Sequence, residues 1–145
     1  MAEPEAGARA PRLLHPFFVS LGGAMLIAAL FTDYMYWTSA LVQWSNFSGW
    51  LIAGGLVLAL ISAIFLILDL VLGKRGRIRR PDFILLAAAA ILSLVNVLVH
   101  TRDAWTSVVP TGITLSVFVT LLLVAAGLRG WTVTTPRAAP KGDPK

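Results

Sequence analysis

The sequence predicts an all-α membrane protein, built as an antiparallel up-down bundle of four transmembrane helices. Of its 145 residues, 57% are hydrophobic and 13% are charged, whereas soluble domains have about 45–50% and about 25%. The mean hydropathy is +0.80. The apolar residues fall into four blocks, each near the length of about 20 residues that crosses a bilayer. Because unpaired backbone groups are costly in lipid, each block is predicted to be a helix.

The expected helices span approximately residues 17–37, 48–72, 82–100 and 108–128. Pro16, Pro81 and Pro110 stand at or near the first turn of three of them. In that position the missing N–H costs nothing, since it would have no partner in the helix. For the second helix, Asn46 or Ser48 is the expected N-cap, because both side chains accept a hydrogen bond from a free backbone N–H.

Short connections predict that consecutive helices are antiparallel neighbours. The connections are residues 38–47, 73–81 and 101–107. All of residues 13–131 then form one transmembrane domain. The tails, residues 1–12 and 132–145, are rich in proline, alanine and charge and are predicted to be disordered.

The distribution of basic residues predicts the orientation of the bundle. Of the 12 lysines and arginines, only Arg102 falls on the side of the bundle opposite the termini. The positive-inside rule therefore predicts both termini in the cytoplasm of a bacterial inner membrane. The net charge is +5, and the basic residues flank the apolar blocks. Anionic lipid headgroups are therefore the expected partner, and nucleic acid is not. Amphipathic aromatic residues mark the expected outer interface: Tyr34, Tyr36, Trp37, Trp44 and Trp105.

Small residues recur along the blocks and are interpreted as packing seams, since close backbone approach drives helices together in lipid. The stripes are Ser20, Ala24, Ala28 and Thr32; Gly55, Ala59 and Ala63; Ala87–Ala90 with Ser93; and Gly112, Ser116 and Thr120.

A few polar residues lie within or beside the apolar blocks, where such groups need a partner or a purpose. The candidates are His15, Asp33, Asp69, Asn96, His100 and Arg102. Asp33 is expected to pair with His100 or Arg102 and so to lock helix one to helix three. A proton or cation site and an exposed interfacial carboxylate are the alternatives. Asp69 is expected to pair with the following basic run, with Arg129 or with His15.

The two histidines suggest a haem b, but the topology puts them near opposite surfaces. His15 and His100 are expected to be on the order of 25–30 Å apart, so they cannot bind one iron within a single chain. A haem would need one histidine and a ligand from a partner. The chain has no cysteine and no phosphate loop, HExxH or nucleophile elbow. We therefore expect no enzyme activity and commit to no metal or cofactor site.

Several short patterns in the chain resemble a bacterial inner-membrane family known as domain of unknown function 2231. They are His15-Pro16, Asp33 with Trp37, Ser48-Gly49-Trp50-Leu51, Asp69, Asn96, Arg102 and Gly127–Trp131. The resemblance covers roughly residues 14–133. It implies a four-helix integral membrane protein and no particular activity.

Three functional hypotheses follow from the sequence. The first is a non-enzymatic scaffold or accessory subunit that binds other membrane proteins. The second is a small redox or proton-handling component that uses His100 with Asp33 or His15 with Asp69. The third is an oligomeric channel or transporter. The third is disfavoured because no pair of corresponding segments is broken by glycine or proline.

Overall fold

The computed structural model describes residues 15–72, 80–102 and 104–129; for His15, Asp69 and Ala104 it describes the backbone alone. The helices are α1 (His15–Ser39), α2 (Val42–Val71), α3 (Arg80–His100) and α4 (Thr111–Leu128), with a one-turn 3-10 helix at Ala104–Ser107. Both predicted disordered tails and most of the connection between α2 and α3 lie outside the described residues.

All four long helices of the described chain are apolar and long enough to cross a membrane. The extensive contacts join α1 to α2, α3 to α4, α1 to α4 and α2 to α3, with α1–α2 the largest interface and α2–α3 the smallest. Only 17% of the residues in the most apolar stretch of α2 are buried within the chain. Most of that helix therefore faces the surroundings, as expected for a helix in lipid. The predicted four-helix transmembrane fold is confirmed.

The link between α1 and α2 is much shorter than the sequence predicts. Only Ala40 and Leu41 separate the two helices, and Ala40 turns the chain in the left-handed region with φ 53°, as at many helix C-termini. The predicted cap at Asn46 or Ser48 is wrong. Leu41 is the N-cap and makes no side-chain cap. The helix continues beyond the apolar block because hydropathy marks the lipid boundary and not the last helical hydrogen bond.

Gly22 of α1, outside the predicted stripe, and Gly55 of the predicted α2 stripe bring α1 and α2 together. A Cβ atom added to Gly22 would lie 3.1 Å from the carbonyl oxygen of Gly55 and 3.2 Å from Leu58 Cβ. Ser20 and Ala24 are exposed, so these two members of the predicted α1 stripe are wrong. The face that α1 buries instead includes Gly22, Gly23, Leu26, Ala29, Thr32, Asp33 and Tyr36. The buried face of α1 therefore has the expected i, i+3, i+4 spacing, but it begins at Gly22 and not at Ser20.

The other stripes are partly buried. Gly55, Ala89, Ser93, Gly112 and Ser116 face the interior, whereas Ala63 is exposed. Leu26, Ala29, Ile52, Ala89, Val119 and Leu123 form the apolar core.

The bundle has two different ends. The aromatic end, where α1 and α3 finish and α2 and α4 begin, has ring contacts between Tyr36 and Trp105 at 5.7 Å and between Phe31 and Trp44 at 6.5 Å. At the basic end, Arg129 Nε donates to Asp82 Oδ1 at 2.9 Å.

Candidate functional site at the aromatic end

The centre of the candidate site is the carboxylate of Asp33, which has no exposed surface. It lies on the face of α1 that carries Ala29 and Tyr36, both buried, so the helical period directs it into the bundle. An ionisable group in a membrane span is costly unless it is paired.

Three side chains, one from each of the other helices, hydrogen-bond to Asp33. His100 of α3 contacts Oδ1 through Nε2 at 2.9 Å, and Ser116 of α4 donates to Oδ2 at 2.5 Å. Ser48 of α2 donates to Oδ1. Hydrogen bonds to a charged acceptor are stronger than neutral ones. The carboxylate therefore joins all four helices at one depth, including the diagonal pair α1 and α3.

Asn96 extends the network one turn deeper along α3. Its Nδ2 donates to Ser116 Oγ at 2.8 Å, and its backbone carbonyl oxygen lies 2.9 Å from His100 Nδ1. Its Oδ1 atom is buried and has no hydrogen-bond partner among the described residues.

The partners of His100 define how many protons the site holds. A carbonyl oxygen only accepts, so Nδ1 facing Asn96 carries a hydrogen. The contact between Nε2 and Asp33 then needs one more proton, on the ring or on the carboxyl. Either arrangement, imidazolium with carboxylate or imidazole with carboxylic acid, has no net charge. Removing that proton would leave an uncompensated buried negative charge, which a low-dielectric interior strongly disfavours.

A crevice leads from the surroundings to His100. It encloses about 250 Å³ between α2 and α3 at the aromatic end, enough for several waters at about 30 Å³ each. Its polar lining residues besides His100 are Ser45, Asn46 and Thr101. Toward the basic end, buried Ser93 follows Asn96 on α3, and the apolar core with Ala89 and Val119 lies beyond it. The crevice therefore approaches the histidine from the aromatic end.

The structure brings together three of the six sequence candidates: Asp33, Asn96 and His100. Arg102 is exposed and is not a hydrogen-bond partner of Asp33. His15 begins α1 and His100 ends α3, so the two histidines lie at opposite ends of the bundle. The side chains of His15 and Asp69 lie outside the described residues, as do the pairings predicted for them.

Sequence reasoning missed Ser48 and Ser116 as partners of the carboxylate. Ser48 was expected to cap a helix and Ser116 to pack in a seam. The missed signal is the tight link at Ala40, because Asp33 and Ser48 lie at nearly equal sequence distances before and after it. Residues so placed on an antiparallel helix pair meet at the same depth. Asp82 was also missed as the partner of Arg129.

Both ring nitrogens of His100 are hydrogen-bonded. An iron bound at Nε2 would therefore take the position that Asp33 occupies. No group of three or more histidine, cysteine, aspartate or glutamate residues suited to a metal lies within the described ranges.

Comparison with known proteins identifies a family whose model covers most of the chain. The model of a family described as "Predicted membrane protein (DUF2231)" matches residues 11–137. No curated protein and no solved structure matches the chain.

Proposed function

On the premise that this chain belongs to the DUF2231 family of predicted membrane proteins, we propose that it is a small proton-responsive membrane protein. Asp33 and His100 form its proton-binding couple. The observation that carries this proposal is the hydrogen-bond count around the two side chains, which needs one shared proton between Oδ1 and Nε2. Histidine is the side chain whose charge changes near neutral pH in water.

The Asp33–His100 pair is linked to all four helices through its hydrogen bonds. Its protonation alters bonds to Ser48 and Ser116, so it acts on the contacts of α2 and α4 as well as those of α1 and α3. Gaining or losing a proton gives the buried site a net charge, which weakens the packing around it. The proton thus controls how tightly the aromatic end closes.

No other charged side chain faces the couple from the described residues. Besides Asp33 and His100, the ionisable groups among the described residues of this end are Tyr34, Tyr36 and Arg102, of which Tyr34 and Arg102 are exposed. The nearby side chains of α2 and α4 that contact Asp33 are neutral hydroxyls. This setting supports a site that responds to proton concentration directly.

The crevice at the aromatic end and the apolar core beyond the cluster favour a sensor or a proton store over a conductor. The crevice reaches His100 from the aromatic end, and the apolar core separates the cluster from the basic end. A conductor would need a polar path on both sides. We expect the reconstituted chain to give no proton leak above that of empty vesicles.

The proposed orientation has both termini in the cytoplasm of a bacterial inner membrane, with the aromatic end outside. The positions of Arg80 and Arg129 at the basic end support it through the positive-inside rule. The couple would then respond to the pH of the outer compartment.

The proposed cellular role is that of a non-enzymatic accessory subunit for other membrane proteins. Support comes from the short connections of the described chain and from α2, whose surface is mostly unburied. Isolation in a gentle detergent should yield a defined complex. A strictly solitary monomer would contradict this role. The redox alternative with haem b would require His100 to exchange Asp33 for iron.

The proton-binding proposal is tested by infrared spectroscopy of oriented proteoliposomes. Because the chain has no cysteine, an impermeant reagent on the exposed variant Thr38→Cys reports the orientation. Acidifying the solution at the aromatic end should change the carboxyl and imidazole bands within the mixing time. Acidifying the opposite solution should produce the change only after slow leakage.

Matched variants identify the responding groups. The carboxyl change should disappear in Asp33→Asn and persist in Asp82→Asn, which removes the carboxylate at the other end. A carboxyl response that persists in Asp33→Asn, or a response that appears equally from both sides, would contradict the proposal.

A further inference from the structure

A second cavity opens in the half of the bundle toward the basic end. It has a volume of about 280 Å³ and lies between α1, α2 and α3, with Leu123 of α4 also in its lining. Its walls carry small residues such as Gly22, Ala59 and Ala87, and Ser62 is the one polar side chain among the described residues that line it. The space lies at the interface between α2 and α3, which is the smallest of the four extensive helix interfaces.

The dimensions of this cleft suit a hydrocarbon chain. Along α2 its lining runs from Gly55 to Leu66, which is roughly 16 Å at 1.5 Å per helical residue. One leaflet of a bilayer has a hydrocarbon depth of roughly 15 Å. The volume lies just below the range of about 300–1,000 Å³ that is usual for compact small-molecule sites.

Arg80 supplies a charge at the mouth of the cleft. It is exposed at the start of α3, and the lining residues Phe83, Ala87 and Ala90 follow it on α3. Their spacings of three, four and three residues put all four on one helical face. An acyl chain along this face would bring a headgroup to the guanidinium, which binds phosphate in a bidentate manner.

We propose that this cleft binds one acyl chain of an anionic phospholipid, with the lipid phosphate against Arg80. The bound lipid fills the space between α2 and α3 that the protein side chains leave open. It belongs to the leaflet at the basic end, and its binding is independent of the proton couple at the other end. Anionic lipid is favoured over zwitterionic lipid because Arg80 gives this end an exposed cation, whereas Arg129 is paired with Asp82.

The test uses native mass spectrometry of the full chain in mild detergent with added phosphatidylglycerol or phosphatidylcholine. The wild type should retain one phosphatidylglycerol and little phosphatidylcholine. Ala63→Leu, which puts a larger side chain into the lining, should abolish retention. Arg80→Gln should weaken it about fivefold, the equivalent of about 1 kcal/mol for one basic residue at an anionic surface.

Two control variants make the result specific. Ala24→Leu introduces the same side chain at an exposed position that does not line the cleft, and Arg102→Gln removes the exposed arginine at the aromatic end. Both should retain lipid as the wild type does. Circular dichroism confirms that each variant is helical, and Ala63→Ser provides a lining variant that keeps the cleft open and should bind.

Three results would overturn the proposal. One is equal retention of phosphatidylcholine, which would remove the role of charge. Another is unchanged retention in a helical Ala63→Leu variant. The third is efficient disulfide formation between two chains of Ala63→Cys in bilayers, which would show that a second copy covers the cleft.

Discussion

The helices are held together differently at the two ends of the bundle. At the aromatic end the four helices meet around Asp33, and every partner of its carboxylate comes from a different helix. Toward the basic end, α2 and α3 separate around an apolar cleft. The comparison shows that a buried carboxylate can draw helices together in lipid, where apolar surface alone gives little net attraction.

The two buried aspartates differ in how far their partner side chains are exposed. Asp33 is paired with His100, whose side chain is 3% exposed, whereas Asp82 is paired with Arg129, which is 46% exposed. A partner held in the interior cannot turn to water when the pair is broken. The same residue type should therefore matter far more in α1 than at the start of α3.

The largest effect is expected from Asp33→Leu. Three lost hydrogen bonds at about 0.6 kcal/mol each account for about 2 kcal/mol, and the uncompensated histidine raises the total to about 3–5 kcal/mol. The measurement is the free energy of unfolding of the chain in mixed micelles. A loss no larger than that of Asp82→Leu would contradict the difference between the ends.

Gly112→Ala should have the next largest effect, because the start of α4 approaches the site closely. An added Cβ would lie 2.9 Å from the carbonyl oxygen of Ser107 and 3.1 Å from His100 Cε1. Overpacking of this kind costs about 1–3 kcal/mol. Gly49→Ala is the control, since nothing lies within 4 Å of its added Cβ. Equal unfolding free energies for both variants would contradict the close packing.

A smaller effect is expected at the basic end from Arg129→Gln. The pair with Asp82 is half exposed on the arginine side, so solvent screens it and its loss should cost about 0.2–1 kcal/mol. Added salt should reduce the difference between wild type and variant. A cost above that of Gly112→Ala would reverse the ranking of the two ends.

The smallest effect should come from Ala40→Gly in the link between α1 and α2. Ala40 has φ 53°, a region that glycine occupies without steric cost. The variant should be about 0.5 kcal/mol more stable, after the greater unfolded-chain entropy of glycine is included. Ala24→Gly, in the interior of α1 and exposed, should instead lose about 1 kcal/mol. A loss of stability in both would contradict relief of strain at the link.

Hydropathy and spacing were sufficient to predict the four helices, because apolar blocks of this length have few other structures open to them in lipid. They also indicated that Asp33 pairs with His100 or Arg102, since the antiparallel order puts these residues at one end, but they could not choose between the two. They could not predict Ser48 and Ser116 as partners of Asp33. Helix rotation decides which serine faces inward, and that depends on close contacts such as Gly22 with Gly55.

The central claim, that Asp33 and His100 share one proton, is tested most directly by nitrogen-15 NMR of the imidazole in lipid bilayers. The variant His15→Gln leaves His100 as the only labelled histidine. We expect Nδ1 to stay protonated between about pH 5 and 8, while the Nε2 signal shifts when Asp33 is replaced by asparagine. A neutral ring with its proton on Nε2 and a bare Nδ1 would contradict it.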